Sequence, residues 1–279
     1  MSRLSFLGRT AVITGAASGI GRALAAALAA RGAHLALADV DANRLDQVGA
    51  VLASNDRRVT TTWLDVSSRS AVKAFADEVE RQHGEAHFLF NNAGVGVGGE
   101  FERVSEADFD WLMGINFDGV VSMTRAFLPM MRQVDAAQIV NISSIYGVIA
   151  PAGQTAYSAS KFAVRGFSNA LRHELEGDSV GVTVVHPGGI NTRIAENARA
   201  PEDASEDEIR RGREMAKRFL IMAPERAADI ILRGVERRRG RVLVGRDAHA
   251  LAIMERLWPV GYWRRVTRFL GAATMQGER

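Results

Sequence analysis

The sequence predicts an α/β fold: a doubly wound, mostly parallel seven-stranded sheet with helices on both faces, in a single domain. Three observations predict it. Short runs of β-branched and apolar residues alternate with helical patterns along the chain. The first apolar run ends in a glycine loop, Thr14-Gly15-Ala16-Ala17-Ser18-Gly19-Ile20-Gly21, which opens directly into a helical pattern. No linker divides the 279 residues. Strands that alternate with helices join through right-handed crossovers, which leaves the strands parallel and covered on both faces.

Taken in order, strands are expected near Thr10–Thr14, His34–Asp39, Val59–Leu64, His87–Asn91, Gln138–Ser143, Val180–His186 and Arg241–Val244. Helices are expected over Gly19–Arg31, Asp41–Ser54, Arg69–Gly84, Glu106–Met131, Ala156–Glu176 and Pro224–Arg237. Two regions break this alternation. The first is the connection from Gly188 to Phe219, acidic over Glu202–Glu208 and basic over Arg210–Arg218. Connections this long in compact α/β proteins are usually functional, and residues 188–220 are assigned to a substrate-side lid. The second is 246–279, read as a basic, aromatic extension packed on a core of residues 1–245.

Hydrophobic residues make up 47% and charged residues 24% of the chain, enough for one large core and incompatible with a disordered or collagen-like protein. There is no cysteine, which excludes disulfides, cysteine catalysis and cysteine-ligated zinc and fits a reducing compartment. Arg9 interrupts the apolar start, so no signal peptide is expected. No run of eighteen apolar residues offers a membrane span. A cytoplasmic location follows as the expectation.

The net charge of +3 hides an asymmetry. Residues 1–232 carry 24 Lys/Arg against 28 Asp/Glu, whereas residues 233–279 carry 11 against 4. Within the tail, Trp258, Tyr262, Trp263 and Phe269 are interleaved with Arg256, Arg264, Arg265 and Arg268. That mixture suits a flap over an apolar pocket or a subunit contact, and a terminal helix packed on its own core suits it equally. Membrane-surface contact is the minor alternative. No nucleic-acid-binding module accompanies the basic residues, so no nucleic-acid partner is expected.

The glycine loop lets the backbone turn sharply against a ligand, and the helix behind it offers free N–H groups to an anion. Asp39 closes the second strand, 18 residues beyond Gly21. A carboxylate there accepts hydrogen bonds from ribose hydroxyls and repels a 2′-phosphate. No basic residue stands at Ser18 or Val40 to neutralise one, so NAD is preferred over NADP. Asp41 is the better candidate to cap the following helix. His83 and His87 are four apart, but Gly84 lies between them at a helix end, so no metal site is expected. The chain has no G-x-S-x-G elbow and no Walker loop. Asn141-Ile142-Ser143 matches a glycosylation acceptor but falls in an expected buried strand.

With these motifs the chain resembles the classical short-chain dehydrogenase/reductase family. The resemblance rests on Thr14-Gly15-x-x-x-Gly19-x-Gly21, Asp65, Asn91-Asn92-Ala93-Gly94, Asn116, Asn141-Ile142-Ser143-Ser144, Tyr157-Ser158-Ala159-Ser160-Lys161 and His186-Pro187-Gly188-Gly189-Ile190-Asn191-Thr192. It implies a Rossmann-type fold and hydride transfer between a nicotinamide cofactor and a secondary alcohol or ketone. It also implies a homodimer or homotetramer formed through the helices at 106–131 and 156–176. The tail after Gly245 lies outside it.

Residue by residue, the resemblance implies that Gly15, Ser18, Gly19, Ile20 and Gly21 hold the cofactor with Asp39. The Asp65 side chain and Val66 backbone would contact adenine, and Asn91 with Asn92, Ala93 and Gly94 would line the cofactor. Pro187, Gly188, Ile190 and Thr192 would close over the nicotinamide, with Thr192 near its carboxamide. Lys161 would bind the nicotinamide ribose, and Asn116 would help hold a proton-relaying water.

Tyr157 and Lys161 also make chemical sense directly, because residues four apart share a helix face. A phenol titrates near pH 10; an adjacent ammonium and a positive nicotinamide ring are expected to lower that and make Tyr157 a usable acid or base. The family pattern places the catalytic serine at Ser144, whose hydroxyl would bond the substrate oxygen. Ser143 is the rival, since a register shift of one swaps faces. Val95, Val97, Ile145 and Val148 suggest a hydrophobic substrate. Two alternatives stay open: an NADP-dependent carbonyl reductase, and a non-catalytic dinucleotide sensor, against which the complete Asn116/Ser144/Tyr157/Lys161 set argues.

Overall fold

Seven runs of buried, mostly β-branched or aliphatic residues become strands: β1 Thr10–Thr14, β2 His34–Asp39, β3 Val59–Trp63, β4 Phe88–Asn91, β5 Ala137–Ile142, β6 Val180–Pro187 and β7 Arg241–Val244. In the computed structural model, which describes residues 3–268, they form one fully parallel sheet in the order β3-β2-β1-β4-β5-β6-β7. The chain enters at β1, runs outward to β3, then crosses back to place β4 beside β1. That reversal leaves a crevice at the carboxyl ends of β1 and β4, where open α/β sheets bind their ligands.

Every residue of β1, β4 and β5 is buried. Both faces are covered, so these strands read as continuous apolar runs rather than alternating ones. On one face, α1 (Gly19–Ala29) and α8 (Pro224–Glu236) pack Leu24, Leu28, Ile231 and Leu232 against Ile13, Phe88 and Phe90. On the other, α3 (Arg69–His83), α5 (Gly119–Met131) and α6 (Thr155–Glu174) pack Phe75, Phe127 and Leu171 against Val12, Leu89 and Ile139. Ile13 and Val12 face opposite ways, as the period of two requires. Asp41 caps α2 (Ala42–Leu52) by accepting from the Arg44 N–H at 3.1 Å, as expected.

Two elements depart from the sequence reading. The helix expected over Glu106–Met131 is α4 (Glu106–Met113), a π-turn (Gly114–Asp118) and α5. Single π-turns of this kind concentrate at functional sites, and this one carries Asn116. The connection after β6 contains a helix, α7 (Glu206–Phe219). Ser205 and Glu208 close a capping box at its start, its first turn is acidic and its last turn holds Lys217 and Arg218. None of its residues is buried, so it looks in sequence like two charged blocks.

The extension forms α9 (Arg246–Leu257) and a second helical stretch over 262–268. Ala248, Leu251 and Tyr262 pack on Ile145, Val148 and Ile149. The Tyr262 hydroxyl accepts the Ala150 N–H at 2.7 Å. Phe269, with the rest of the tail to residue 279, lies outside the described residues.

Candidate active site

The site grows from the carboxyl ends of β1, β2, β4, β5 and β6. Gly15 and Gly19 adopt φ of +65° and +53°, which bends the β1–α1 loop back over the sheet. A Cβ on Gly21 would lie 2.0 Å from the Gly15 carbonyl oxygen, so the first turn of α1 presses against the loop and no side chain fits. Ser18 is the N-cap of α1 and its side chain makes no cap hydrogen bond. Thr14 ties the loop to β4: its hydroxyl accepts the N–H groups of Asn92 and Ala93, each at 3.0 Å. The Asn92 amide in turn donates to the Thr14 carbonyl at 2.9 Å. Backbone N–H groups at a helix start, in a cradle that side chains cannot enter, fit a diphosphate.

Asp39 stands beside this loop. Its carboxylate accepts the N–H of Ala17 at 2.9 Å and that of Asp41 at 2.9 Å, which fixes its orientation and leaves further acceptor lone pairs. Asp65 follows β3 and accepts the N–H and hydroxyl of Ser67 at 2.9 and 2.7 Å; Val66 beside it is buried. Asn91 is buried within the sheet end, where its amide donates to Asn141 at 2.8 Å and Thr124 at 3.2 Å. Asn91 therefore anchors the floor, while Asn92, Ala93 and Gly94 continue past it.

The polar cluster lies on the far side of β4. Ser143 and Ser144 are separated decisively. The Ser143 hydroxyl is buried and donates to the Lys161 carbonyl at 2.8 Å, a structural tie between β5 and α6. Ser144 Oγ accepts the Tyr146 N–H at 3.1 Å and adjoins the phenol of Tyr157. Lys161 Nζ lies 5.6 Å from the Tyr157 ring centroid and donates to the Ile142 carbonyl at 3.2 Å. The Asn116 amide oxygen accepts the Val95 N–H at 2.8 Å, and its nitrogen donates to the Val95 carbonyl and to Ser160 at 3.0 and 3.1 Å. A Cβ on Gly94 would sit 3.2 Å from Asn116 Oδ1 and 3.3 Å from Lys161 Nζ, so these two line one small space.

The protonation balance of the protein without cofactor is set by burial. Lys161 does not pull the phenol down in the protein by itself. Burial pushes Tyr157 up to about 12 against a smaller opposing pull from Ser144, and Tyr146 adds to the rise. Burial also brings Lys161 down to about 8. Removing a charged form from water costs more here than the 5.6 Å cation–ring contact returns.

Pro187 ends β6, Gly188, Ile190 and Thr192 continue from it toward the glycine loop, and the Thr192 side chain closes on Gly19. Sequence reasoning missed Asp247 and Tyr146 here. Asp247, in the first turn of α9, accepts the Gly189 N–H at 2.6 Å and so holds this segment from the tail side. The Tyr146 ring meets the Tyr157 ring edge-on at 6.0 Å. No local motif announces either contact, because each spans separate elements. Apolar walls come from Val97 on one side and from Ile145, Val148, Ile149 and Leu251 on the other.

The family model for short chain dehydrogenases matches residues 9–203. The chain belongs to the classical short-chain dehydrogenase/reductase family. It is 42% identical over 264 residues to SadH of Mycobacterium tuberculosis, covering 94% of this chain and 95% of that protein. It is 36% identical over 197 residues to a 3-ketodihydrosphingosine reductase of Bacteroides thetaiotaomicron, covering 71% and 70%. Among solved structures, a short-chain dehydrogenase/reductase from Burkholderia phymatum in complex with NAD superposes with a TM-score of 0.84 at 33% identity, covering 91% of this chain and 94% of that one. This short-chain dehydrogenase/reductase is thus a nicotinamide-dependent oxidoreductase acting on the CH–OH group.

Proposed function

We propose that this short-chain dehydrogenase/reductase uses NAD(H) and interconverts an apolar secondary alcohol and its ketone. The observation that carries the reading is the meeting of Ser144, Tyr157, Lys161 and Asn116 at one end of a cradle built by Gly15, Gly19 and Gly21. NAD(H), when bound, supplies the hydride acceptor or donor. The glycine loop and the start of α1 would hold its diphosphate and Asp39 its adenosine ribose. Val66 and Asp65 would receive the adenine, and Pro187 to Thr192 the nicotinamide end. The orientation of Asp39 toward the glycine loop favours NAD, since a 2′-phosphate would meet a carboxylate there. The Burkholderia relative was solved with NAD, and the Bacteroides relative is named a 3-ketodihydrosphingosine reductase.

Ser144 Oγ holds the substrate oxygen. Tyr157 exchanges a proton with that oxygen, and the buried Lys161 ammonium beside the phenol stabilises the phenolate. Asn116, fixed by Val95 and Ser160, shapes the space beyond Lys161 through which the proton passes to solvent. With Tyr157 near 12 in the protein alone, the phenol keeps its proton at neutral pH and is set to donate to a carbonyl oxygen. Oxidation needs the phenolate, so its rate rises with pH below the Tyr157 value, and the rise flattens above about 8 as Lys161 loses its proton, while reduction draws on the protonated phenol.

The test follows nicotinamide absorbance with NAD⁺ and NADP⁺ across secondary alcohols that include sterols and long-chain alcohols. Tyr157→Phe is expected to keep NADH affinity within about twofold and to lose about 10²–10⁴-fold in turnover. Unchanged turnover in that variant overturns the mechanism. Asp39→Ala is expected to narrow the NAD preference, and an unaltered ratio removes the cofactor assignment. The residue 188–220 connection and the extension after Gly245 are proposed as the substrate-side walls, with assembly through the α4–α5 and α6 helices.

A further inference from the structure

The extension after β7 touches both segments that flank the reacting centre. Ala248 and Leu251 of α9 lie against Ile145, Val148 and Ile149, which follow Ser144 in the chain. Tyr262 adds its bond from the Ala150 N–H at 2.7 Å. From the first turn of the same helix, Asp247 reaches the other segment, where its carboxylate accepts the Gly189 N–H at 2.6 Å. The family model matches residues 9–203, so Asp247 lies outside the pattern that carries Ser144, Tyr157 and Lys161.

The turn after Pro187 has a particular need of this contact. Of its four consecutive N–H groups, three end on backbone carbonyls: Gly188 on Val244 at 2.8 Å, Ile190 on Gly188 at 3.0 Å and Asn191 on Met222 at 2.8 Å. The Gly189 N–H ends on a side chain instead, and that side chain belongs to the extension. Space is kept for it. A Cβ on Gly188 or on Gly245 would collide with the Asp247 carboxylate, and Gly245 turns the chain from β7 into α9 at φ +111°. A carboxylate is also favoured in the first turn of a helix. One short helix therefore ties the turn after β6 to the residues after Ser144.

We propose that Asp247 is a positioning residue for hydride transfer. By holding Gly189 it sets where Gly188–Thr192 lies relative to Ser144 and Tyr157, with α9 as the spacer between them. It acts through the backbone of this turn and not on the reacting atoms. The inference rests on the reading that Pro187–Thr192 receives the nicotinamide end. A loosened turn must be ordered when that end binds, and apparent affinity falls by the fraction of molecules already in the competent position. The diphosphate and adenosine half is held by the glycine loop and Asp39, so it does not feel the loss.

The experiment compares the full chain with Asp247→Ala and Asp247→Asn. Calorimetry gives affinities for NADH and for ADP-ribose, which lacks the nicotinamide. Amide hydrogen exchange reports on residues 188–192. In Asp247→Ala, exchange there is expected to quicken, NADH to bind about three- to tenfold more weakly, and ADP-ribose to stay within about twofold. Asp247→Asn keeps an acceptor oxygen without the charge, so the same pattern is expected at smaller size. It carries the comparison if the alanine variant fails to fold. Unaltered exchange, or equal losses for NADH and ADP-ribose, overturns the role of Asp247 and leaves the proposed function standing. Faster exchange with unchanged NADH affinity overturns both, because the turn then moves without the nicotinamide noticing.

Discussion

The two ends of the catalytic cleft are built by different means. The cofactor end is held by backbone: a loop with no room for a Cβ at Gly21, hydroxyl and amide ties from Thr14 and Asn92, and strands buried on both faces. The end proposed to admit the substrate is held by side chains at the surface. Arg103 reaches Asp203 at 3.0 Å and Glu208 at 3.3 Å, Arg199 reaches Asp108 at 2.7 Å, and Lys217 reaches Glu196 at 3.6 Å. Exposed pairs of this kind are screened by water and salt and hold their elements only weakly, whereas displacing close-packed backbone costs far more. On the proposed function, rigid construction coincides with the cofactor cradle and weak, exchangeable contacts with the substrate-side wall.

Acidification should strike the buried half hardest. Burial lowers both His83 and His186 from 6.5 to about 4, with nearby positive charge adding to the shift. Both are neutral in the native protein above that value, while the unfolded chain takes up protons below 6.5. Stability is therefore complete above pH 6.5, falls as pH drops toward 4, and levels off below. The loss at pH 5 is about 1–2 kcal/mol per histidine, read as denaturation midpoints at pH 7 and 5. A flat profile means that these rings are charged in the native state.

Gly21→Ala tests the backbone argument next. Its Cβ would meet the Gly15 carbonyl oxygen, so the loop must shift. Overpacking of this kind costs about 1–3 kcal/mol, expected as about 5- to 150-fold weaker NADH binding by fluorescence titration. Normal affinity would show that the cradle yields as easily as the rim. Tyr262→Phe removes the hydroxyl that accepts the Ala150 N–H and costs about 0.5–1.5 kcal/mol, felt in KM for substrate more than in NADH affinity. Equal effects on both would dissolve the division between the two ends. The smallest change belongs to Arg103→Gln, whose midpoint of thermal unfolding is expected to stay close to that of the parent protein. A larger loss would show that the α7 contacts are a network rather than separate surface pairs.

Much of the fold was legible because its signals are local. The strands sit within one or two residues of their expected bounds, since continuous apolar runs between glycines and turns admit few other readings. Glycine positions before a helix, and Tyr157 and Lys161 one helical turn apart, carry their geometry in their spacing. Other features depend on partners far along the chain. The π-turn carries Asn116, whose side chain bonds to Val95 and Ser160, and a continuous helical pattern contains no trace of it. Ser205 and Glu208 do spell a capping box, and that signal could have revealed α7 despite its exposed, charged faces. Asp247 and Tyr262 are ordinary tail residues until the fold brings them against Gly189 and Ala150.

The sequence by itself determined the parallel sheet, the glycine cradle, Asp39 at the end of β2, and the family set of Asn116, Ser144, Tyr157 and Lys161, because periodicity and spacing are properties of neighbours in the chain. Only the tertiary structure decided that Ser143 is tied to the Lys161 carbonyl while Ser144 adjoins the phenol, since the two serines differ only in which side of β5 they meet. It also added the effect of burial, which in the protein without its cofactor raises Tyr157. A charge four residues away is visible in a sequence, but the loss of water around a side chain exists only once the chain has closed over it.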